Sequence, residues 1–179
     1  MKNTLIVMRG LPWSGKSTRA KQIYNETVSP RKFIFSTDEY FYVKVKPDKP
    51  DEYSFDRGYL QAAHKWNLLR TQDVINWGCP LVIIDNTNTT ASEPKPYVEY
   101  AHMHGYEIRI EEPTSPQWLE IAPLLEDKKA NKKRLKELAA KLAEGSRETH
   151  SVPAYAIEKM MWRWKPNLTV QDILDASDF

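Results

Sequence analysis

The sequence holds one cysteine, Cys79, in 179 residues. No intrachain disulfide is possible, so stability must come from a packed core. A reducing compartment fits this, and the cytoplasm is the expected location. Charge of one sign is also lacking. Twenty-six Lys and Arg face 24 Asp and Glu, for a formal net charge of +2, which is too weak to argue for a nucleic-acid partner by itself. Any anion-binding face must come from local clustering. No apolar run is long enough to cross a bilayer, and Met1-Lys2-Asn3-Thr4 leads into a strand-like run without a signal-peptide pattern. No membrane partner is expected, and there is no internal repeat. What is present fits a globular protein: 41% of residues are hydrophobic, and the length suits one domain over 1–179 with a real core. Nothing in the sequence specifies an oligomeric state.

The most informative stretch is Gly10-Leu11-Pro12-Trp13-Ser14-Gly15-Lys16-Ser17, a G-x-x-x-x-G-K-S loop. An apolar run, Asn3 to Met8, precedes it and suits a buried parallel strand. A helical stretch, Thr18 to Tyr24, follows. In such a loop the backbone amides surround phosphate oxygens at the positive end of the helix, here with Thr18 closing the set. Lys16 reaches the β and γ phosphates as a mobile point charge, and the Ser17 hydroxyl suits a magnesium ion. ATP and Mg2+ are therefore the expected cofactors. The bland reading, a glycine turn before an ordinary helix, lacks an account of the strand, loop and helix in this order.

Further strands are expected at Phe33–Ser36, Leu81–Ile84 and Glu107–Ile110. The continuous apolar run of the third strand places it centrally, and the alternation of the fourth places it at an edge. Helices are expected over Leu60–Trp77, Pro96–His104, Gln117–Leu125, Lys128–Glu144 with Gly145 as its stop, and Ala154–Trp164. Lys44 to Glu52 reads as a loop, and the tail from Leu168 onward as a short strand or a helical turn. Strands alternating with helices predict an α/β, three-layer P-loop NTPase fold of the kinase type. Its central sheet is mostly parallel with four to five strands, and residues 126–150 form a helical lid or insertion.

Phosphoryl transfer needs positioning and charge neutralisation, so the search is for an acid that takes a proton, an acid near the metal and a mobile arginine. Asp38 lies just past the second strand, where ligands bind in open α/β sheets. It suits a general base, or else a cap on the following helix. Asp85 ends the third strand and suits the magnesium side of the site, against the alternative of an Asx-turn. Arg147 follows a charged helix and Gly145-Ser146. It reads either as a lid arginine over the migrating phosphoryl group or as a solvated side chain. His64 reads as a structural hydrogen-bonding residue, and no second ligand at metal spacing accompanies it.

These residues sit in a wider pattern. It includes Arg9-Gly10-Leu11-Pro12, Ser14-Gly15-Lys16-Ser17, Phe35-Ser36-Thr37-Asp38-Glu39-Tyr40-Phe41, Tyr53, Phe55, Ala63 to Asn67, Ile83 to Asn88, Glu112-Pro113, Trp118 and His150 to Met160. The pattern covers nearly the whole chain. It resembles the phosphate-loop 5′-hydroxyl polynucleotide kinase group, including the phage polynucleotide kinase domain, the kinase-like domain of cyclic-nucleotide phosphodiesterase and a NEDD-binding-protein-like branch. The resemblance implies Lys16 and Ser17 at the phosphates and metal, and Asp38 as the acid that deprotonates an acceptor 5′ hydroxyl. It implies Asp85 on the metal side and Thr37, Tyr40, Thr87 and Asn88 lining the acceptor site. Arg147 matches a lid arginine. The implied activity is transfer of the ATP γ-phosphate to a hydroxyl, with the 5′ end of RNA or DNA as acceptor in nucleic-acid end repair.

Three features depart from that pattern. Trp13 stands where the group has glycine, and a tryptophan disfavours positive φ and brings a large ring to the phosphates. Phe41 stands where the phage enzyme carries an arginine. The segment between Trp118 and Arg147 is longer and rich in lysine: Lys128, Lys129, Lys132, Lys133, Lys136 and Lys141. It reads as an amphipathic helix with a solvated basic face, or as a nucleic-acid track. A small-molecule kinase of the same fold and a nucleotide-binding module without turnover stand as alternatives.

Overall fold

Four short apolar stretches build the sheet. In the computed structural model, which describes residues 2–43 and 52–177, they are β1 (Thr4–Met8), β2 (Lys32–Phe35), β3 (Leu81–Ile84) and β4 (Glu107–Glu111). The order across the sheet is β2-β3-β1-β4, and every pairing is parallel. Parallel strands joined in this order need crossovers, which the helices supply. They are α1 (Lys16–Glu26), α2 (Glu39–Val43), α3 (Leu60–Asn76), α4 (Lys95–Met103), α5 (Pro116–Ile121), α6 (Lys132–Gly145), α7 (Ala154–Arg163) and α8 (Val170–Leu174). The register sets Val7 beside Ile84 and Ile84 beside Phe35. The carboxyl ends of β2, β3 and β1 therefore lie level along one edge.

Side chains alternate across a strand, and the two faces of β1 enter two cores. Leu5 and Val7 join Val82, Ile84, Val74, Tyr97, Val98 and Ile173, which packs α3, α4 and α8 on one face. Ile6 and Met8 join Ala20, Leu81 and Ile83 beneath α1 on the other. All four residues of β3 are buried, as expected of a strand covered on both faces, and β4 is the partly exposed edge.

A third core lies outside the sheet. Leu135, Leu138, Ala139 and Leu142 of α6 pack with Trp118 and Ile121 of α5, Ile157 and Met161 of α7, and Trp164. Leu11 of the phosphate loop belongs to the same cluster. The helix in segment 126–150 is thus anchored through its apolar stripe. Its start is later than its charge pattern predicts, at Lys132, because residues 127–131 turn on the Asn131 amide to Asp127 carbonyl bond of 3.1 Å. Its end also differs. Gly145 is helical at φ −63° and runs on into a tight turn at Ser146–Glu148, so it does not act as a stop.

Other boundaries shift for local reasons. Lys16 to Thr18 form the first turn of α1. The helix expected over Gln117–Leu125 narrows to a 3₁₀ turn at Ala122–Leu125, where Pro123 cannot donate. Glu39–Val43 is a short helix, the one that the capping alternative for Asp38 requires. The tail resolves as α8, started by a Thr169–Asp172 capping box. Most of the loop expected over Lys44 to Glu52 lies outside the described residues.

Candidate functional site

The phosphate loop leaves the central strand β1 and is fastened on three sides. The Gly10 amide donates to the Thr87 carbonyl at 3.1 Å, the Ser14 amide to the Leu11 carbonyl at 3.2 Å, and Ser115 Oγ to the Ser14 carbonyl at 2.8 Å. Ser115 is also the N-cap of α5, accepting from the Trp118 amide at 3.0 Å. Gly15 sits at φ 87°, a conformation that suits glycine and turns the chain into α1. Among the described residues, the amides of Lys16, Ser17 and Thr18 have no protein acceptor, as in the first turn of any uncapped helix. The Ser14 hydroxyl is buried and likewise without a partner. This donor-rich, positively ended cradle fits an anion of the phosphate class.

Across the loop, Lys16 Nζ pairs with the Asp85 carboxylate and donates to the Asp85 carbonyl at 3.3 Å. Both side chains are about nine-tenths buried. Asp85 takes its place because its amide donates to the Phe35 carbonyl at 2.8 Å, continuing the β2–β3 ladder by one residue. Its carboxylate therefore reaches Lys16 of the phosphate loop, the residue before Ser17.

Asp38 is built differently. The cap it was eligible for is made by its neighbours: the Asp38 amide donates to Ser36 Oγ at 3.2 Å, and the Ser36 amide to Glu39 Oε1 at 3.0 Å. Arg70 clamps this turn by donating to the Ser36 carbonyl at 2.8 Å while its guanidinium lies over Trp66 and Phe35. The Asp38 carboxylate is left to other partners. Tyr53 OH donates to Asp38 Oδ1 at 3.3 Å, and His150 Nδ1 lies 4.0 Å from Oδ2. The Tyr53 and His150 rings are 4.8 Å apart. Burial, and then the Asp38 charge, push the Tyr53 phenol well above its ordinary range, so it remains a donor.

Tyr53 and His150 belong to the sequence pattern, which implies no role for either. The signal for them was faint: a tyrosine in a polar loop, and a histidine before Val152-Pro153. Their placement depends on two separate clasps. The Ser54 amide donates to the Phe41 carbonyl at 3.1 Å. The turn after α6 closes on Ser146, whose carbonyl accepts from the Ser151 amide at 2.7 Å and whose hydroxyl accepts from the Val152 amide at 3.0 Å.

The remaining predicted residues take distinct positions. Thr37 is buried and its amide donates to Asn86 Oδ1 at 2.9 Å. The Tyr40 ring lies edge-on to Trp66 at 5.8 Å. Thr87 offers its carbonyl to Gly10, and Asn88 donates its side-chain amide to the Met8 carbonyl at 2.8 Å from a buried position at φ 46°. Asn88 thus ties the β3 loop to β1. Arg147 is exposed on the Ser146 turn, and no side-chain bond engages it among the described residues. Pro12 and Trp13 form the outer rim of the loop. Trp13 takes φ 59° despite its side chain and leaves 52% of its surface exposed. Phe41 is fully buried against Tyr53 and Phe55, so this position presents no group to a ligand. His64 is exposed and shows none of the hydrogen bonds expected for it among the described residues. No cluster of metal-ligating side chains and no helix long and apolar enough to cross a membrane occurs among the described residues.

Behind the site lies a residue whose weight the sequence did not signal. Arg9 is fully buried. It donates to the carbonyls of Asn88 at 3.0 Å and Lys165 at 2.8 Å, pairs with Glu112 at 3.1 Å, and lies over the Trp164 ring at 4.1 Å. Burial pushes its pKa down to about 10, against the opposing pull of Glu112 and Glu93.

A phosphate loop springing from the inner strand β1 of a four-stranded parallel sheet, with Asp85 after the adjacent strand β3 and Asp38 after β2 beyond it, is the arrangement of a P-loop domain with a kinase-like fold. Comparison with family models carries the assignment one step further, for the AAA domain model matches residues 5–140 and the chain belongs to that family. Over 173 residues the chain is 34% identical to human NEDD4-binding protein 2. That match takes in 97% of this chain and 8% of the human protein's length. Two solved structures share the fold at 18% identity. A chain of the Pnkp1/Rnl/Hen1 RNA repair complex superposes with a TM-score of 0.58 over 99% of this chain and 47% of its own. A second Pnkp1/Rnl/Hen1 structure gives 0.51 over 66% of this chain and 38% of its own.

Proposed function

We propose that this protein is an ATP- and magnesium-dependent kinase that moves a phosphoryl group to the 5′ hydroxyl of an RNA or DNA strand. The observation that carries the reading is the setting of Asp38, excused from helix capping and aimed between Tyr53 and His150 at the edge shared with Lys16 and Asp85. Bound ATP and magnesium supply the phosphoryl group and neutralise its charge. Ser17 and Asp85 are the residues suited to hold the metal, and Lys16 with the loop amides the phosphates. Asp38 accepts the proton of the acceptor hydroxyl, and Tyr53 orients the carboxylate by donating to its other oxygen. Arg147 reaches the transferring group from the Ser146 turn. A nucleic-acid acceptor agrees with the sequence pattern and with the RNA repair setting named for one structural neighbour. The test is transfer of labelled phosphate from ATP to a 5′-hydroxyl oligonucleotide. Asp38→Asn is expected to lower the rate by about 10²–10⁴-fold with ATP binding retained; an unchanged rate would remove Asp38 from this role.

One observation favours a second reading, a small-molecule hydroxyl kinase. Around Asp38 stand the rings of Tyr42, Tyr53 and His150, and buried Phe41 replaces a phosphate-binding arginine. An acceptor panel separates the two: transfer to nucleosides or sugars, with oligonucleotides inert, would decide for the second.

A further inference from the structure

Helix α6 presents a basic row that leads to the acceptor site. Lys132 and Lys136 are one turn apart, and at helical spacing Ala140, Ala143 and Arg147 continue the same strip. Ala140, Ala143, Glu144 and Arg147 form one wall of a surface groove, and Ser151 to Ala154 form the other. The groove's far wall begins one residue after His150, which lies 4.0 Å from Asp38. The apolar stripe of α6 occupies the adjoining side of the helix and enters the third core, against which Ala143 also packs.

The charges along this helix are not equivalent. Arg134 is spent on Glu120 and Glu137, and Lys128 donates to the carbonyls of Trp162 and Trp164. Lys132 and Lys136 are exposed, and neither has an ion pair among the described residues. Lys132, Lys136 and Arg147 therefore line the strip, with Lys133 and Glu144 on its outer margin. At 1.5 Å of rise per residue the two lysines are about 6 Å apart, and Lys136 stands about 14 Å from the end of α6 at Gly145, with Arg147 two residues beyond. The first spacing matches neighbouring phosphates of an extended strand, and the second leaves room for a few nucleotides.

We infer that the Lys132–Lys136–Arg147 face of α6, with the groove beside it, is a track for the phosphodiester backbone of a single-stranded acceptor whose 5′ end lies at Asp38. The inference rests on the nucleic-acid reading above and names the part of the acceptor that reading leaves unplaced. Backbone contact of this kind is independent of base sequence and weakens with salt. It adds affinity only for strands long enough to leave the site and run along the helix.

The experiment measures fluorescence anisotropy of a labelled 5′-hydroxyl dodecanucleotide and of a dinucleotide across a salt series. It compares the unmodified protein, Lys132→Glu/Lys136→Glu and Lys141→Glu, each checked for an unchanged melting curve. Lys141 lies half a turn of the helix away from the proposed row. The double variant is expected to weaken dodecanucleotide binding by at least about tenfold and to flatten the salt slope by about 1.4, two contacts at about 0.7 each. Dinucleotide binding and the Lys141→Glu protein should be unaffected. No binding of the dodecanucleotide at low salt, no loss in the double variant, or an equal loss in Lys141→Glu would each overturn the track. Because binding is read without turnover, absence of phosphoryl transfer would count against the kinase reading alone.

Discussion

The indole of Trp13 lies against the backbone of Gly145. A Cβ at position 145 would collide with the Cδ2, Cε2 and Cε3 atoms of the ring. The rim of the phosphate loop thereby rests on the last turn of α6, the helix that leads to Arg147 and His150. Trp13 adopts a left-handed backbone that normally costs about 1–2 kcal/mol for a side-chain-bearing residue, and the ring contact offsets it. Gly145 is helical not to end the helix but to leave room for the ring.

This relationship predicts a sign reversal. Alanine in a helix is ordinarily better than glycine by about 0.5–1 kcal/mol. Gly145→Ala should instead destabilise the protein by about 1–3 kcal/mol through overpacking. In a Trp13→Gly background the same change should stabilise. Urea unfolding of the four proteins in a double-mutant cycle checks this, and a destabilising Gly145→Ala in both backgrounds would contradict it.

The Lys16–Asp85 pair links stability to ligand. Lys16→Ala leaves a largely buried carboxylate without its cation, and a loss of about 1–3 kcal/mol is expected. Magnesium and ATP should raise the melting temperature of the unmodified protein and leave that of Lys16→Ala nearly unmoved, as read by thermal shift.

Arg9 should be intolerant of change. Arg9→Met removes a donor from three carbonyls and from Glu112, and a cost of at least about 3 kcal/mol is expected. Arg9→Lys should recover little, because an ammonium cannot reproduce the planar fork or its stacking on Trp164. Denaturant midpoints measure both.

Tyrosine ionisation should limit stability in alkali. Burial raises the phenols of Tyr53, Tyr97 and Tyr106 above their ordinary value of 10.0. The unfolded chain gives up these protons near pH 10 while the folded one holds them, so stability is full below about pH 10 and falls as pH rises beyond it. Absorbance at alkaline pH should show these phenols ionising only as the fold is lost. Tyr53→Phe should make the alkaline decline shallower.

Much of the sheet was legible because its signals are local. Leu81–Ile84 is apolar at every position and became the strand covered on both faces, and Glu107–Ile110 alternates and became the edge. Strand, loop and helix around Lys16 were readable for the same reason. Asp38 and Asp85 were placed at strand ends by position alone, and the parallel register brings those ends level.

What the sequence by itself determined is therefore the α/β alternation, the phosphate cradle and the two acids at the sheet edge, because each follows from spacing within a few residues. Only the tertiary structure decided which helix Trp13 leans on, that Tyr53 and His150 flank Asp38, and that Arg9 joins β1 to the loop after α7. These contacts join residues from 15 to 156 positions apart. No periodicity encodes such pairs; chain topology and the packing of the third core bring them together.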